Sequence, residues 1–329
     1  MTKRKGKSPR RHHYVPTSYL RGFTPSEGKS GSLWAHDYAN KASFEAHPSS
    51  LGCTKDLYRF RSNPENSMDV DIEHALARVD ADGARVISGL ESAVGLPGLD
   101  GAGHQASGNE LVILLHYACI MHLRNPSLRR SIARLAGSQA TMEARLTAWS
   151  VANVEEFEQQ LADAGVDVPE GEGAKLLEWA RSPQFRLEID DGDWLLLESF
   201  SAETEVLRLL TERSWTLWVA AKTAGHFVTS DRPMVLLWKS QHPAGVTPGF
   251  AHRDTHVFFP LTKHLLLYGA YDAENSLIEA DGKQIAVANS VMVNTCDRFV
   301  FGAEPTFPDN RGGEIVDSPG DQFSREPMW

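Results

Sequence analysis

The chain has 329 residues, of which 41% are hydrophobic, so it can bury a substantial core in one large domain or two smaller ones. Cys53, Cys119 and Cys296 are far apart and form no C-x-x-C pair, which argues against a disulfide framework and a cysteine-rich zinc site. No run of about 18 apolar residues predicts a transmembrane helix, and the basic start leads into no apolar signal segment. We therefore expect a soluble, cytoplasmic protein with no membrane partner.

The net charge of -10 is unevenly distributed along the chain. The first residues are basic and no acid occurs before Glu27, whereas residues 154–205 are rich in Asp and Glu. We predict a disordered basic arm over residues 1–10, because chain termini are usually poorly ordered. Such an arm attracts polyanions without reading their sequence, so nucleic acid is the predicted partner.

The run RRHHYVPTSYLRGF, residues 10–23, concentrates titratable and aromatic side chains. Neighbouring residues of an extended chain point in opposite directions, so only one of His12 and His13 is expected to enter a given site. A histidine can act near pH 7 as base, acid or metal ligand. The alternative is an anchoring strand whose histidines only form hydrogen bonds. The side chains that would then pack on the core are Tyr14, Val15, Tyr19, Leu20 and Phe23.

The elements that follow are a hairpin and a series of helices. Residues 33–38 and 42–48 are two short extended runs that predict a β-hairpin. Apolar residues at helical spacing predict an amphipathic helix over 69–91 and a central, nearly all-apolar helix over 111–125 that stops at Pro126. Further helices are predicted over 128–161 and 193–212, with an acid-rich region between them.

From residue 214 the apolar pattern changes to period two, which predicts short strands with one helix over 284–294. The order of hairpin, helices and sheet predicts an α+β fold with a C-terminal, mainly antiparallel sheet. We expect a single domain over residues 11–304, with a helical part at about 68–212 and a sheet part at about 213–304. Residues 305–329 are rich in Gly, Pro and Asp, which predicts a loop-rich or disordered tail.

The segment HFVTSDRPMVLLW, residues 226–238, places polar residues in a turn between two β-runs, where loops on a rigid scaffold commonly carry function. Asp231 is a candidate metal ligand or a group that orients a histidine. Ser230 and Arg232 are candidate phosphate contacts. The alternative is turn chemistry, in which Asp231 caps its own backbone and the following proline closes the turn.

The end of the central helix offers one further candidate, Arg124. It either complements the helix dipole or, if buried, faces an anionic ligand. His116 and His122 are six residues apart, so they do not form a two-histidine metal pair on one helix face. The chain also has no P-loop, no G-x-G-x-x-G after a strand, no H-E-x-x-H and no G-x-S-x-G, which disfavours P-loop, Rossmann and α/β-hydrolase chemistry.

Several of these motifs together resemble a known family. HHYVPTSYLRGF, LWAHD, LRNP, HFVTSDRPM, VFFPLT and RFVFG occur in this order, over roughly residues 11–302. They resemble a widespread, mainly bacterial family of uncharacterised proteins with a domain-of-unknown-function label. In that family the x of S-D-x-P is often asparagine, whereas this chain has Arg232. The resemblance implies no reaction; the signature positions that it implies are His13, Tyr14, Pro16, Tyr19, Leu20, Phe23, Arg124, Ser230, Asp231, Pro233 and Asn294.

The predicted function is a metal-assisted hydrolase of the nuclease or phosphodiesterase type. His13 would be base or metal ligand, Asp231 and Asp37 would bind Mg²⁺ or Mn²⁺, and Arg124 would neutralise phosphate. The remaining predicted ligand or phosphate contacts are His12, Tyr14, Tyr19, Arg21, Ser230, Arg232 and Asn294.

Two alternatives stay open. One is a non-catalytic binding module for an anionic ligand, nucleic acid or a protein partner; the other is a purely structural role for the N-terminal motif. Because a site needs its groups within reach of one metal or water, we predict that His13 and Asp231 converge in one cleft.

Overall fold

The computed structural model describes residues 11–25, 31–58, 68–94, 108–189, 193–240, 242, 246–319 and 323, and it has the predicted α+β architecture. The strands are β1 (Arg11–His13), β2 (Leu33–Asp37), β3 (Ala42–Ala46), β4 (Cys53–Lys55), β5 (Ser214–Ala220), β6 (Thr229–Ser230), β7 (Val235–Trp238), β8 (Thr255–Pro260), β9 (Leu265–Ala270), β10 (Ser276–Ala280), β11 (Phe299–Gly302), β12 (Phe307–Arg311) and β13 (Glu314–Ser318). The helices are α1 (Thr17–Leu20), α2 (Met68–Val94), α3 (Gly108–Leu123), α4 (Pro126–Ser150), α5 (Val154–Asp163), α6 (Gly173–Arg181), α7 (Asp193–Ser201), α8 (Glu203–Thr211) and α9 (Gly282–Thr295). Among the described helices, none is long and apolar enough to cross a membrane. The predicted basic arm, residues 1–10, lies outside the described residues.

The chain divides into two compact units. Unit 1 comprises Met1–Pro126 and Leu197–Trp329, and unit 2 comprises Ser127–Leu196. The sequence predicts one domain over residues 11–304, whereas the structure gives part of the predicted helical region a unit of its own. Each unit has a hydrophobic core.

Unit 1 contains two larger sheets. The five-stranded sheet has the order β10–β5–β9–β8–β7, in which β10 runs parallel to β5 and the other pairs are antiparallel. The four-stranded sheet has the order β3–β2–β11–β6 and is antiparallel throughout. Strands β2 and β3 are the predicted hairpin, and most of the other strands come from the predicted C-terminal β-runs.

Helix α9 shares the core of unit 1 with strands of both sheets. Its Met292 is fully buried, in one cluster with Phe258 of β8 and Val300 of β11. Burying such side chains contributes about 1.5–3 kcal/mol each. A capping box starts the helix, since Asp281 Oδ1 accepts from Gln284 N at 2.8 Å and Gln284 Oε1 accepts from Asp281 N at 2.9 Å. The helix predicted over 284–294 is present, with two more residues at its start and one more at its end.

The N-terminal motif is packed against the C-terminal part of unit 1. Tyr19 is buried, its Oη lies 2.8 Å from Thr229 Oγ1, and it donates to Pro260 O at 2.5 Å. Its ring stacks on Phe259 with the centroids 5.9 Å apart. Burial raises the pKa of Tyr19 well above its usual range, so the side chain is a neutral phenol. Tyr19 therefore anchors the start of the chain rather than offering a charge to a ligand.

Two close contacts hold the backbone on either side of this anchor. Gly52 has φ +56°, and a Cβ there would lie 2.6 Å from Val15 Cβ, so glycine is required by both conformation and space. Lys263 Nζ donates to Thr24 O at 2.9 Å and Pro25 O at 2.8 Å. The motif is thus held at both ends.

Unit 2 is helical. The predicted helix over 128–161 is two helices, α4 and α5, because Asn153 starts a new one by accepting from Glu156 N at 2.8 Å. The buried side chains of its core come from α4 to α6 and the segments after them; they are Ala148, Val151, Phe157, Leu177, Ala180 and Phe185.

The structure contains strands in segments for which the sequence predicts none. Residues 307–318 lie in the predicted loop-rich tail but form the hairpin β12–β13, with Gly312 and Gly313 at positive φ in its turn. The segments FPDNR and EIVDS lack an alternation of large apolar residues, so their pattern did not indicate strands. Phe307 supplies the driving force, since it is buried in the core beside α9. Residues 320–322 and 324–329 of the predicted tail lie outside the described residues.

Candidate functional site

Asp231, the predicted metal ligand, is a buried acceptor for backbone amides. Its Oδ1 accepts from Asp297 N at 2.8 Å, and its Oδ2 accepts from Arg298 N at 2.7 Å and Phe299 N at 2.9 Å. Asn125 Nδ2 donates to the Asp231 carbonyl at 2.6 Å. Burial raises the pKa of Asp231 to about 6, and its amide bonds act in the opposite direction. The carboxylate joins the S-D-R-P turn to the start of β11.

The turn itself is stabilised by Ser230 rather than by Asp231. Ser230 Oγ accepts from Arg232 N and donates to Arg232 O, both at 3.0 Å. Arg232 Nη1 donates to Thr295 O at 3.3 Å, and Asn294 is half-buried in the last turn of α9. The turn chemistry that the sequence offers as an alternative is therefore present, with a different residue in the capping role.

Asp37 is also a carboxylate of unit 1 whose two oxygens both accept hydrogen bonds. Arg298 Nε lies 3.0 Å from both of its oxygens, and Arg298 Nη2 donates to Oδ2 at 2.6 Å. The amides of Ala39 and Asn40 donate to Oδ1 at 3.1 Å and shape the β2–β3 turn. The hydrogen bonds from Arg298 lower the pKa of Asp37 to about 2. Asp37 therefore orients Arg298 and closes the hairpin.

His12 and His13 have different surroundings, as the alternation along a strand predicts. The buried His12 accepts from Tyr58 N at its Nδ1 at 3.1 Å, stacks on the Tyr58 ring, and directs Nε2 to Glu73 Oε1 at 2.8 Å. The distance between His12 Nε2 and Glu73 Oε1 is short enough for an ion pair, but the two groups are not aligned as a hydrogen bond. His13 is half-buried, with its Nε2 3.2 Å from Ser49 O.

The three predicted metal ligands, His13, Asp37 and Asp231, thus bond to three different sets of partners. Within the described residues, no group of three His, Cys, Asp or Glu side chains could hold a metal ion. In the same part of the chain, no hydrogen bond joins His13 to Asp231. Metal-assisted hydrolysis stays a prediction.

Arg124 is buried and paired inside the protein. Its side chain is 1% exposed, and it donates to Asp80 of α2 through Nη1 at 3.2 Å and Nη2 at 2.9 Å. The sequence predicted that Arg124 either complements the helix dipole or faces an anionic ligand, and neither prediction included the carboxylate of Asp80.

Of the remaining predicted contacts, Arg21 is exposed, and the half-buried Tyr14 donates its amide N–H to Gly52 O at 2.8 Å.

A different group of charged side chains lines a cavity of about 1110 Å³ in unit 2. One wall is a face of α4 and the other is formed by residues 186–189. Among the described residues, the charged lining consists of five arginines and one acid, and we name the site the arginine cavity: Arg129, Arg130, Arg134, Arg145, Arg186 and Glu188.

The two walls of the arginine cavity are fixed against each other. Thr141 Oγ1 accepts from Leu187 N at 2.8 Å and donates to Gly137 O at 2.7 Å. A Cβ at Gly137 would lie 2.6 Å from Leu187 O, so only glycine lets the second wall come this close. The concave shape is therefore a property of the packed unit.

Two arginines of the cavity, Arg134 and Arg186, donate hydrogen bonds to uncharged groups. Arg134 Nε donates to Arg130 O at 3.3 Å, and Arg186 Nη1 donates to Phe185 O at 2.7 Å. Among the residues that the structure describes, no ion pair involves Arg134, Arg145 or Arg186. Their charges are thus not compensated by described carboxylates and face a cavity large enough for an organic ligand.

Sequence reasoning missed this cavity. The available signal was the run LRRSIARL, which places Arg130 and Arg134 four residues apart on one helix face. On its own such a run indicates a solvated helix face. The second wall comes from residues about 50 positions later, and its packing on Gly137 has no local signature.

The fold and these sites define an α+β protein with a helical unit that contains an arginine-lined cavity. The chain belongs to the family described as "Protein of unknown function (DUF4238)", which matches residues 11–306. This confirms the resemblance to a family with a domain of unknown function. Searches of curated proteins and of solved structures found no match.

Proposed function

We propose that the chain is a binding protein for an organic anion, which it holds in the arginine cavity. The supporting observation is that Arg134, Arg145 and Arg186 line one cavity and take part in no ion pair among the described residues. On a chain with a net charge of -10, a concave cluster of one sign concentrates the field and attracts an anion. The sequence analysis gave a non-catalytic module that binds an anionic ligand as an alternative function. The proposed site lies in a part of the chain that the sequence motifs did not indicate.

Arginine chemistry narrows the class of anion. The planar guanidinium donates paired N–H groups that match the two oxygens of a carboxylate or phosphate. Arg134 and Arg186 already bond to backbone carbonyls, which limits the orientations of their guanidinium groups. An anion that binds to these two arginines does not have to displace a described carboxylate from either of them. The attraction between the anion and the two guanidinium groups therefore contributes directly to affinity.

The test is a calorimetric titration of the whole chain with butyl phosphate, a small organic anion. We expect binding by the wild type that weakens as salt is raised, since salt screens exposed charges. The double variant Arg145→Glu/Arg186→Glu should lose at least about tenfold in affinity, which corresponds to about 1.4 kcal/mol. The matched control is Arg85→Glu, an exposed charge reversal in unit 1, which should bind as the wild type does.

A second titration separates this proposal from the predicted nuclease. A labelled single-stranded oligonucleotide is added with and without Mg²⁺ to the wild type and to His13→Ala. Equal butyl phosphate affinity in the wild type and the double variant would refute the cavity as the anion site. Oligonucleotide cleavage that requires Mg²⁺ and disappears in His13→Ala would place the function in unit 1 instead.

A further inference from the structure

The arginine cavity also has an apolar floor. Met142, Leu146 and Trp149 line it from α4 at positions i, i+4 and i+7, which places them on one side of the helix. Their side chains remain 60%, 62% and 65% exposed. Leu187 faces the same cavity from the other wall and is 38% exposed. Four large apolar side chains therefore line one concave surface without being covered.

Single exposed apolar residues are ordinary, but a contiguous apolar surface in a cavity marks a binding site. Ile189 and Leu195 also line the cavity, and Leu195 is fully buried. An apolar ligand group that binds there would remove both its own surface and the apolar surface of the cavity from water. This removal of apolar area from water gives a favourable hydrophobic contribution.

The end of this stripe is held in place. Arg181 lies over the Trp149 ring at 5.6 Å and donates to Ala148 O at 2.8 Å and Val151 O at 3.1 Å. Because Arg181 is fixed by two carbonyls, it restricts the positions of the indole ring. A restricted aromatic surface binds an apolar group with less loss of side-chain entropy.

Charge and apolar surface lie side by side in the cavity. Arg145 is three residues after Met142 and four before Trp149, so it borders the stripe on the same helix. Arg134 lies about two turns before Met142 on the same helix, and Arg186 lies on the second wall next to Leu187. A ligand that uses both surfaces must carry an anionic head and an apolar tail.

We propose that the ligand of the arginine cavity is a monomeric anionic amphiphile, a carboxylate or phosphate attached to an alkyl or aryl tail. The inference rests on the proposed anion binding and adds the class of ligand. Single-stranded nucleic acid would use the arginines and Trp149 but would leave Met142, Leu146 and Leu187 without an apolar partner. A flat lipid surface is disfavoured because the stripe shares its cavity with a second wall, residues 186–189, and is therefore not a flat face.

The test compares butyl phosphate, octyl phosphate and the uncharged octyl glucoside, each below its micelle concentration, by calorimetry on the whole chain. Each buried methylene should raise affinity by about fourfold, so octyl phosphate should bind at least tenfold more tightly than butyl phosphate. Met142→Ser/Leu146→Ser changes two exposed residues, and it should reduce octyl phosphate affinity towards that of butyl phosphate. Butyl phosphate has a tail four methylenes shorter, so its affinity should fall much less in that variant, and its retained binding also shows that the variant is folded.

The outcomes separate the two proposals. If both phosphates bind equally, the amphiphile is wrong and anion binding stands. If octyl glucoside binds as tightly as octyl phosphate, the anion proposal is wrong and the apolar floor alone binds. If vesicles of phosphatidylglycerol bind the chain through the stripe while monomeric octyl phosphate does not, the ligand is a lipid surface and the monomer proposal is overturned.

Discussion

Two arginines of unit 1 and two arginines of unit 2 have opposite kinds of partner. In unit 1, Arg124 and Arg298 each donate to an aspartate through two nitrogens, and the fold itself satisfies both charges. In unit 2, Arg134 and Arg186 donate to carbonyl oxygens at the edge of a cavity. A charge that already has a carboxylate partner has little left to offer a ligand. Whether an arginine has a structural or a ligand-binding role is therefore indicated more by its hydrogen-bond partner than by the sequence motif that contains it.

The two pairs of unit 1 also differ from each other. The Arg124 side chain is 1% exposed, whereas the Arg298 side chain is 48% exposed. Exposed ion pairs contribute little to stability, while breaking a buried pair leaves an uncompensated charge. Breaking the buried Arg124 pair should therefore cost more stability than breaking the exposed Arg298 pair.

The largest effect is expected for Arg124→Ala. The substitution removes a fully buried side chain and leaves Asp80, which is 23% exposed, without its partner, which should lower the free energy of unfolding by about 3–5 kcal/mol. Urea denaturation measures it. Replacing both partners, Arg124→Met with Asp80→Leu, should recover most of the loss, because no charge is then left unpaired. A loss below about 1 kcal/mol for Arg124→Ala would mean that the pair behaves as a surface contact.

A smaller effect is expected for Asp37 at low pH. Arg298 lowers the pKa of Asp37 from its ordinary value of 3.8 to about 2. A lowered pKa in the folded state stabilises the fold above the ordinary value, and this contribution disappears as the pH falls from about 4 to about 2. The wild type should therefore lose at most about 2 kcal/mol over this range relative to Asp37→Asn. Parallel pH dependences of stability in the two proteins would contradict the pairing.

In unit 2, Gly137→Ala tests the wall of the cavity. The added Cβ would lie 2.6 Å from Leu187 O, so the second wall must move away. We expect a stability loss of about 1–2 kcal/mol from this overpacking, together with weaker binding of octyl phosphate. The control is Gly89→Ala, because a Cβ at Gly89 meets nothing within 4 Å. Unchanged ligand binding in Gly137→Ala would show that the close approach of the walls is not needed.

The smallest stability effect is expected for Arg145→Glu. Arg145 is not part of a described ion pair, so the free energy of unfolding should change by no more than about 0.5 kcal/mol. Octyl phosphate binding should nevertheless fall, and the combination of lost binding with retained stability is the signature of a binding charge. A stability loss as large as that of Arg124→Ala would assign Arg145 to the fold.

Much of the fold could be predicted because its signals are local. The β2–β3 hairpin, α2 and α9 follow from apolar spacing and turn residues within each segment. Strands β12 and β13 have no such alternation, and their pairing depends on burial of Phe307 beside α9. The division of one predicted helix into α4 and α5 depended on the single N-cap Asn153.

The site was harder to predict because its contacts are not local. Asp37 and Arg298 are 261 positions apart, so the sequence around either residue does not indicate the other. Asp231 was correctly placed in a polar turn, but its three amide partners lie just before and at the first residue of β11. The arginine cavity needs α4 and residues 186–189 to pack together, and neither segment alone predicts a concave surface.

The most direct test of the account is the affinity of octyl phosphate for the wild type, for Arg145→Glu/Arg186→Glu and for His13→Ala, measured by calorimetry at one salt concentration. We predict that the cavity variant loses at least about tenfold in affinity. His13→Ala should bind as the wild type does, because His13 belongs to the N-terminal motif of unit 1 and does not line the cavity. The opposite pattern, with binding lost in His13→Ala and retained in the cavity variant, would contradict the account.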